Sequence, residues 1–164
     1  MKGTYMKRRS NGTTWVLRAV VMLIGLVVLA ICAIGLPLLI RSELGGDFDY
    51  GFIFLGLYIP AVPFFFALYQ ALKLLDLIDR DGAFSTASVQ AFKYIKNCAF
   101  VISALFVAGM PYIFYVADRD DAPGVALIGF VIIGASFVIG SFAGVLQKLV
   151  QNAVDIKAEN DLTV

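Results

Sequence analysis

The residues best suited to chemistry in this sequence are carboxylates in two short segments. They are Glu43, Asp47, Asp49, Asp118, Asp120 and Asp121. Clustered carboxylates are the ligands that proteins offer to a divalent cation such as Ca²⁺. The order Asp118-Arg119-Asp120-Asp121 resembles the start of a calcium-binding loop, but no Glu stands at the twelfth position. We therefore interpret these segments as solvated loops and predict no metal site.

The sequence offers little else for catalysis. It contains no histidine, which is the commonest general base and metal ligand. Its two cysteines, Cys32 and Cys98, lie in different apolar segments at opposite depths, so we expect no disulfide between them. There is no CxxC, no phosphate-binding loop and no dinucleotide fingerprint. We expect no enzyme, no catalytic residue and no cofactor.

The elements that would position these side chains are four long charge-free segments. The segments are 19–40, 50–72, 97–117 and 122–147. Each is long enough, at ~1.5 Å per helical residue, to cross a hydrocarbon core of about 30 Å. Hydrophobic residues make up 60% of the chain and charged residues only 15%, which is more apolar than a soluble domain. The sequence predicts an all-α polytopic membrane protein with four transmembrane helices.

The first segment has two alternative interpretations. Its apolar core is longer than the ~7–15 residues typical of a signal peptide. Leu29-Ala30-Ile31-Cys32 suggests a lipoprotein signal, but Ile31 stands where such signals carry a small residue. A retained helix is the favoured interpretation.

Basic residues predict the orientation of these helices. Eleven of the thirteen Lys and Arg residues fall on one side, and only Arg41 and Arg119 fall on the other. Because Lys and Arg are enriched on the cytoplasmic side of a membrane, both termini are predicted to be cytoplasmic, in the cell membrane. The net charge of +1 therefore conceals a basic inner side and an acidic outer side.

Amphipathic patterns continue past the inner ends of helices two, three and four, so we expect these helices to extend into the cytoplasm and bury their apolar faces together. Gly82 is placed to stop helix two as the first residue past its cap. Ser85 is predicted to cap helix three, with Phe84 and Val89 forming a hydrophobic staple. Asp76 and Arg80 are spaced for a weak surface ion pair.

The predicted organisation is a tail at 1–14, one domain at 15–158 and a tail at 159–164. The alternative for the helical extensions is that some of them lie flat on the inner leaflet.

Small residues predict a packing surface on helix four. Ser136, Gly140 and Gly144 repeat every four residues, which lets another helix approach closely. A contact within the bundle is favoured over a seam between two copies, although a homo-oligomer stays open. Pro60 and Pro63 predict a bend in helix two.

Two stretches resemble a known family. Gly82-Ala83-Phe84-Ser85 followed by Val89, Phe92 and Ile95, and the end Glu159-Asn160-Asp161-Leu162-Thr163-Val164, are similar to the YoaS-like bacterial membrane proteins, an uncharacterised-domain family of small four-helix proteins. The resemblance implies no activity. It implies a context, since such proteins are often encoded beside a small helix-turn-helix regulator of the Cro type.

These observations favour a non-enzymatic membrane protein that binds a cytoplasmic protein, such as that regulator, and makes no direct contact with nucleic acid. The candidate partner-binding residues are Phe84, Ser85, Lys93, Asn160, Asp161, Leu162 and Val164. Two alternatives remain open. One is binding or transport of a small ligand within the bundle, and the other is immunity or envelope-stress protection.

Overall fold

Four long helices make up most of the part of the chain that the structure describes. The computed structural model describes residues 7–35, 37, 50–80, 82–119 and 121–162. The helices are α1 (Lys7–Ala30, continued by a π-helical turn at Ile31–Gly35), α2 (Tyr50–Asp79), α3 (Thr86–Arg119) and α4 (Pro123–Leu162). All four are long and apolar enough to cross a membrane, which confirms the prediction of four apolar helices. α1 begins inside the segment 1–14, and α4 continues into the segment 159–164.

Consecutive helices pack side by side and antiparallel. α1 packs on α2, α2 on α3, and α3 makes its most extensive contact with α4. Gly25 of α1 lies against Leu68 of α2. Tyr94 of α3 meets Phe66 of α2 edge to face, with 5.7 Å between ring centroids. As a result, the start of α1, the α2–α3 turn and the end of α4 share one end of the molecule. We call it the basic end, because most of the Lys and Arg residues lie there.

The interior of the bundle is made of small residues and the outside of large apolar ones. Five of the buried residues are alanines: Ala91, Ala99, Ala117, Ala126 and Ala143. Large side chains such as Leu26, Leu127 and Phe142 point outward and are exposed. Helices pack in this way in lipid, where apolar surface costs nothing and close approach of backbones supplies the attraction.

A π-helical turn ends α1. The Tyr58 hydroxyl of α2 donates a hydrogen bond to the carbonyl oxygen of Cys32 at 2.8 Å. Pro37, five residues after Cys32, has no N–H to offer that carbonyl. The tyrosine therefore supplies a donor that the π-helical ladder lacks, and it joins α1 to α2. Both Cys32 and Cys98 are free thiols, as the sequence predicted.

The α3–α4 turn is tight because of its backbone geometry. The Ala122 N–H donates to the Ala117 carbonyl at 2.9 Å, and Asp121 has a φ of 50°. This is a Schellman ending, in which the residue after the helix cap adopts the left-handed conformation. Pro123 then occupies the first position of α4, where its missing N–H has no cost.

Candidate docking surface at the basic end

The α2–α3 turn is built around a buried serine. Ser88 is 0% exposed, and its hydroxyl donates to the Gly82 carbonyl oxygen at 3.0 Å. The Ser88 N–H donates to the Ser85 hydroxyl oxygen at 3.3 Å, which confirms Ser85 as the cap of α3. Ser88 thus links the first turn of α3 to the chain leaving α2.

Gly82 is favoured at this turn by close packing of the backbone. Its N–H donates to the Leu77 carbonyl at 2.8 Å, a bond that closes a six-residue ring at the end of α2. A Cβ on Gly82 would lie 3.2 Å from that carbonyl oxygen. The sequence predicted Gly82 to be the first residue past the cap of α2. In the structure it is the second, and its N–H makes the hydrogen bond that ends the helix.

Ion pairs join α1 to α2 at the same end. The Arg18 guanidinium lies 3.0 Å from an Asp76 carboxylate oxygen and 3.5 Å from one of Asp79. Arg80 also pairs with Asp76 at 3.1 Å, as its i,i+4 spacing predicted. All four side chains are partly exposed, so each pair stabilises the fold by at most about 1 kcal/mol. Their main effect is to set where α1 lies along α2.

α4 extends past the first residue of α3. Gly144 lies against Lys96, and Gly140 lies against Ala99 and Phe100. Because the two helices run antiparallel, the first residue of α3, Thr86, is level with about residue 154 of α4. Residues 155–162, which we call the α4 tip, therefore continue about 12 Å past the level of Thr86 at ~1.5 Å per residue.

The α4 tip is exposed and acidic. Ile156 is 62% exposed and Leu162 is 86% exposed. Asp155, Glu159 and Asp161 outnumber the single base Lys157, and the last turn of α4 has no basic residue. Carboxylates near a helix C-terminus lie at the negative end of its dipole, which is unfavourable for the helix. The tip thus concentrates negative potential next to apolar side chains.

Several predicted partner-binding residues lie on this end, with different roles. Phe84 is 61% exposed at the turn, so the proposed staple with the buried Val89 leaves most of its ring open. The Ser85 hydroxyl oxygen accepts the capping hydrogen bond of α3, and Lys93 is exposed on α3. Asn160, Asp161 and Leu162 are exposed on the tip, and Val164 lies outside the described residues.

The predicted burial of three extensions against one another holds only in part. Leu75 of α2 and Val89 of α3 are buried. On α4, Val150, Ala153 and Val154 are half-buried, while Leu149 and Ile156 are exposed. The reason is length, since α4 has 40 residues and continues after its neighbours have ended.

The small-residue repeat of α4 faces the interior. A Cβ on Gly140 would meet the Phe100 ring at 3.3 Å, and one on Gly144 would meet the Lys96 stem at 3.2 Å. Ser136 is half-buried on the same helix. This surface is therefore used inside the bundle, between α3 and α4.

At the opposite end, the described carboxylates form no cluster. Asp118 and Asp121 line a shallow groove between α3 and α4. No group of three or more potential metal-ligating side chains occurs within residues whose structure is described. Glu43, Asp47, Asp49 and Asp120 lie outside them.

An apolar cavity of about 410 Å³ lies in the half of the bundle away from the basic end. It lies between α2, α3 and α4, with walls formed by residues such as Leu57, Leu105, Phe106, Ile128 and Ile132. Nearly all of its lining is aliphatic or aromatic carbon, so it suits an apolar molecule and not an ion.

One buried polar atom lies outside this cavity. The Gln70 Oε1 is buried on α2 and has no hydrogen-bond donor in the described structure.

Comparison with known proteins places the chain in a family. A family described as "Protein of unknown function (DUF2975)" matches residues 17–164. The chain belongs to the DUF2975 family. It is also 50% identical over 156 residues to the "Uncharacterized membrane protein YoaS" of Bacillus subtilis (strain 168), covering 93% of this chain and 98% of that protein. The resemblance to YoaS-like proteins is thereby confirmed, and no solved structure matches.

In this DUF2975 protein, two side chains that hold helix ends in place were not predicted from the sequence. Ser88 was not predicted to hold the turn, and Tyr58 was not predicted to cap the end of α1. A serine three residues after a cap serine is a signal that was available for the first. The second depends on which residue of α2 lies beside Cys32, and no local pattern carries that information.

Proposed function

We propose that this DUF2975 protein is a non-enzymatic, multi-pass protein of the cell membrane that docks a soluble cytoplasmic protein on its basic end. The observation that carries the proposal is the exposure of Ile156 and Leu162 on the α4 tip, which continues past the first residue of α3. The docking surface comprises this tip and the exposed ring of Phe84. The partner it fits has a basic surface with an apolar contact, as a small helix-turn-helix regulator has.

The orientation follows from charge. Five lysines in the described part of the chain lie at the basic end, and Arg119 lies at the opposite end; the five are Lys73, Lys93, Lys96, Lys148 and Lys157. Lys and Arg near the ends of membrane helices are retained in the cytoplasm. Both termini and the α4 tip are therefore cytoplasmic in this proposal.

The continuity of α4 supports a protein partner over the membrane surface. A helix that lies on the leaflet needs a break where it leaves the bundle. α4 runs from Pro123 to Leu162 as one helix, so its tip points away from the bilayer. Exposed Ile156 and Leu162 are then available to a soluble protein.

The negative charge of the α4 tip favours a partner with a positively charged surface. Asp155, Glu159 and Asp161 attract a positively charged surface, and such attraction speeds encounter and fixes orientation. Proteins that bind DNA carry basic surfaces of this kind. Docking at the tip would occupy that surface, and nucleic acid itself would be repelled.

The test is retention, by the purified full-length protein, of the small helix-turn-helix regulator that the resemblance to YoaS-like proteins leads us to expect. Deleting Glu159–Val164 should abolish retention, and Ile156→Ser should weaken it by roughly tenfold, about 1.4 kcal/mol. Asn152→Ala, a matched change on an exposed polar position of α4, should have no effect. Undiminished retention by the truncated chain, inserted normally in the membrane, would reject the proposal.

The apolar cavity favours a second function, binding of an apolar ligand such as an acyl chain. Gly109 lines the cavity, and a Cβ there would meet nothing within 4 Å. Gly109→Leu should therefore fill the cavity and reduce binding of a fluorescent fatty acid. Gly134→Leu is the matched control, since Gly134 also has open space around its Cβ position and does not line the cavity. Equal binding by both variants would reject this function.

A further inference from the structure

Two lysines share a groove at the level where the apolar segments end. The groove has a volume of about 360 Å³ and lies between α3 and α4. Its polar walls are Lys96, Ser141, Gln147 and Lys148, and Phe100 and Val145 supply its apolar wall. Lys96 directly precedes the charge-free part of α3, and Lys148 directly follows that of α4. This level corresponds to the headgroup region of a bilayer.

Gly144 determines where the Lys96 side chain runs. A Cβ at position 144 would lie 3.2 Å from the Lys96 Cδ, so the aliphatic stem of Lys96 lies across the bare backbone of α4. Long basic side chains place their stems on apolar surface in this way and keep the ammonium at the interface. Tyr94, two residues earlier and 45% exposed, is of the residue type that collects at that depth.

Neither ammonium group has a carboxylate partner in the described structure. The carboxylates that form ion pairs at this end, Asp76 and Asp79, are taken by Arg18 and Arg80. Asp155 instead accepts a hydrogen bond from Gln151 at 2.9 Å. Two positive charges in one groove repel each other unless an anion lies between them.

We propose that this groove binds the phosphate of an anionic phospholipid from the adjoining leaflet. Charge complementarity identifies the occupant, since the lysines lack an acidic neighbour and face a layer that contains lipid phosphates. The acyl chains would lie along Phe100 and Phe137, whose rings meet edge to face 5.7 Å apart. The Ser141 hydroxyl is already bonded to the Phe137 carbonyl at 2.9 Å, so recognition rests on the two lysines.

The test measures lipid binding to the purified full-length protein by native mass spectrometry in detergent. Phosphatidylglycerol should be retained in preference to phosphatidylcholine. Lys96→Gln and Lys148→Gln should each weaken phosphatidylglycerol binding about fivefold, and the double variant about thirtyfold. Gly144→Leu, which keeps both charges but displaces the Lys96 stem, should weaken it as well.

The matched control is the double variant Lys73→Gln and Lys157→Gln, which removes two charges from the same end outside the groove. It should leave phosphatidylglycerol binding within about twofold of the unaltered protein. Equal losses in the two double variants would show diffuse attraction and overturn the proposal. Equal retention of phosphatidylcholine, or a groove variant without loss, would overturn it too.

Discussion

At the scale of single residues, the basic end depends on a few side chains whose partners are far apart in the chain or hidden in a turn. Ser88 is the most constrained of them, because it is fully buried and its hydroxyl serves the Gly82 carbonyl. A buried acceptor that loses its donor costs the protein more than the bond itself contributes. The shape of the docking surface beside Phe84 therefore depends on this serine.

Replacing Ser88 tests that dependence. Ser88→Ala should lower the free energy of unfolding by about 1–3 kcal/mol, because the Gly82 carbonyl loses its donor inside the turn. Thermal unfolding in detergent, followed by circular dichroism, measures the change. Ser141→Ala is the control, since its exposed hydroxyl bonds only a carbonyl of its own helix. Comparable losses in both variants would show that the turn has no special dependence on Ser88.

At the scale of the elements, α1 is attached differently from the other helices. It packs on α2 through Gly25, the Arg18 ion pairs and the Tyr58 hydroxyl, while most of its apolar surface faces outward. α3 and α4 have the most extensive contact. The close approach at Gly25 is therefore one of the few contacts that hold α1 on α2.

Enlarging Gly25 should loosen α1. A Cβ there would lie 2.5 Å from the Leu68 Cδ2, so Gly25→Leu should overpack the contact and destabilise the protein by about 1–3 kcal/mol. Leu68→Ala in the same chain should restore part of the loss, because it opens the space that the new side chain needs. A double-mutant cycle of unfolding free energies measures the coupling. Additive effects of the two changes would contradict direct packing at this point.

At the scale of the whole molecule, the chain is a bundle whose lysines are collected at one end, where its last helix continues past the first residue of α3. α3 has 34 residues and α4 has 40, so they span about 50 and 60 Å at ~1.5 Å per residue. A hydrocarbon core of about 30 Å cannot contain them. In the proposed orientation, the excess emerges in water on the side of the lysines.

Cysteine labelling tests the orientation. After Cys32 and Cys98 are replaced by alanine, a single new cysteine is placed at Asp118 or at Gln151. An impermeant maleimide should label Asp118→Cys on intact cells and Gln151→Cys only after the membrane is opened, since basic ends stay in the cytoplasm. Labelling of Gln151→Cys from outside would invert the topology and remove the cytoplasmic docking proposal.

The basic end shows which structural features a local sequence pattern can predict and which it cannot. Ser85 as the α3 cap and the Asp76–Arg80 pair were predictable because each depends on residues within one or two turns of helix. The exposure of most of the Phe84 ring and the burial of the Ser88 hydroxyl were not predictable, because burial depends on which neighbouring elements cover a side chain. The same holds for the exposure of Ile156, which depends on where α3 begins relative to α4.

The sequence by itself determined that the chain forms four apolar helices in a membrane with a basic and an acidic end. Composition and charge spacing carry that information because bilayer thickness and the cost of burying charge act on each segment independently. Only the tertiary structure decided that α4 continues past the first residue of α3, that Gly144 holds the Lys96 stem, and that Tyr58 completes α1. Those features arise from the alignment of helices along one another, which side-chain packing sets and no single segment encodes.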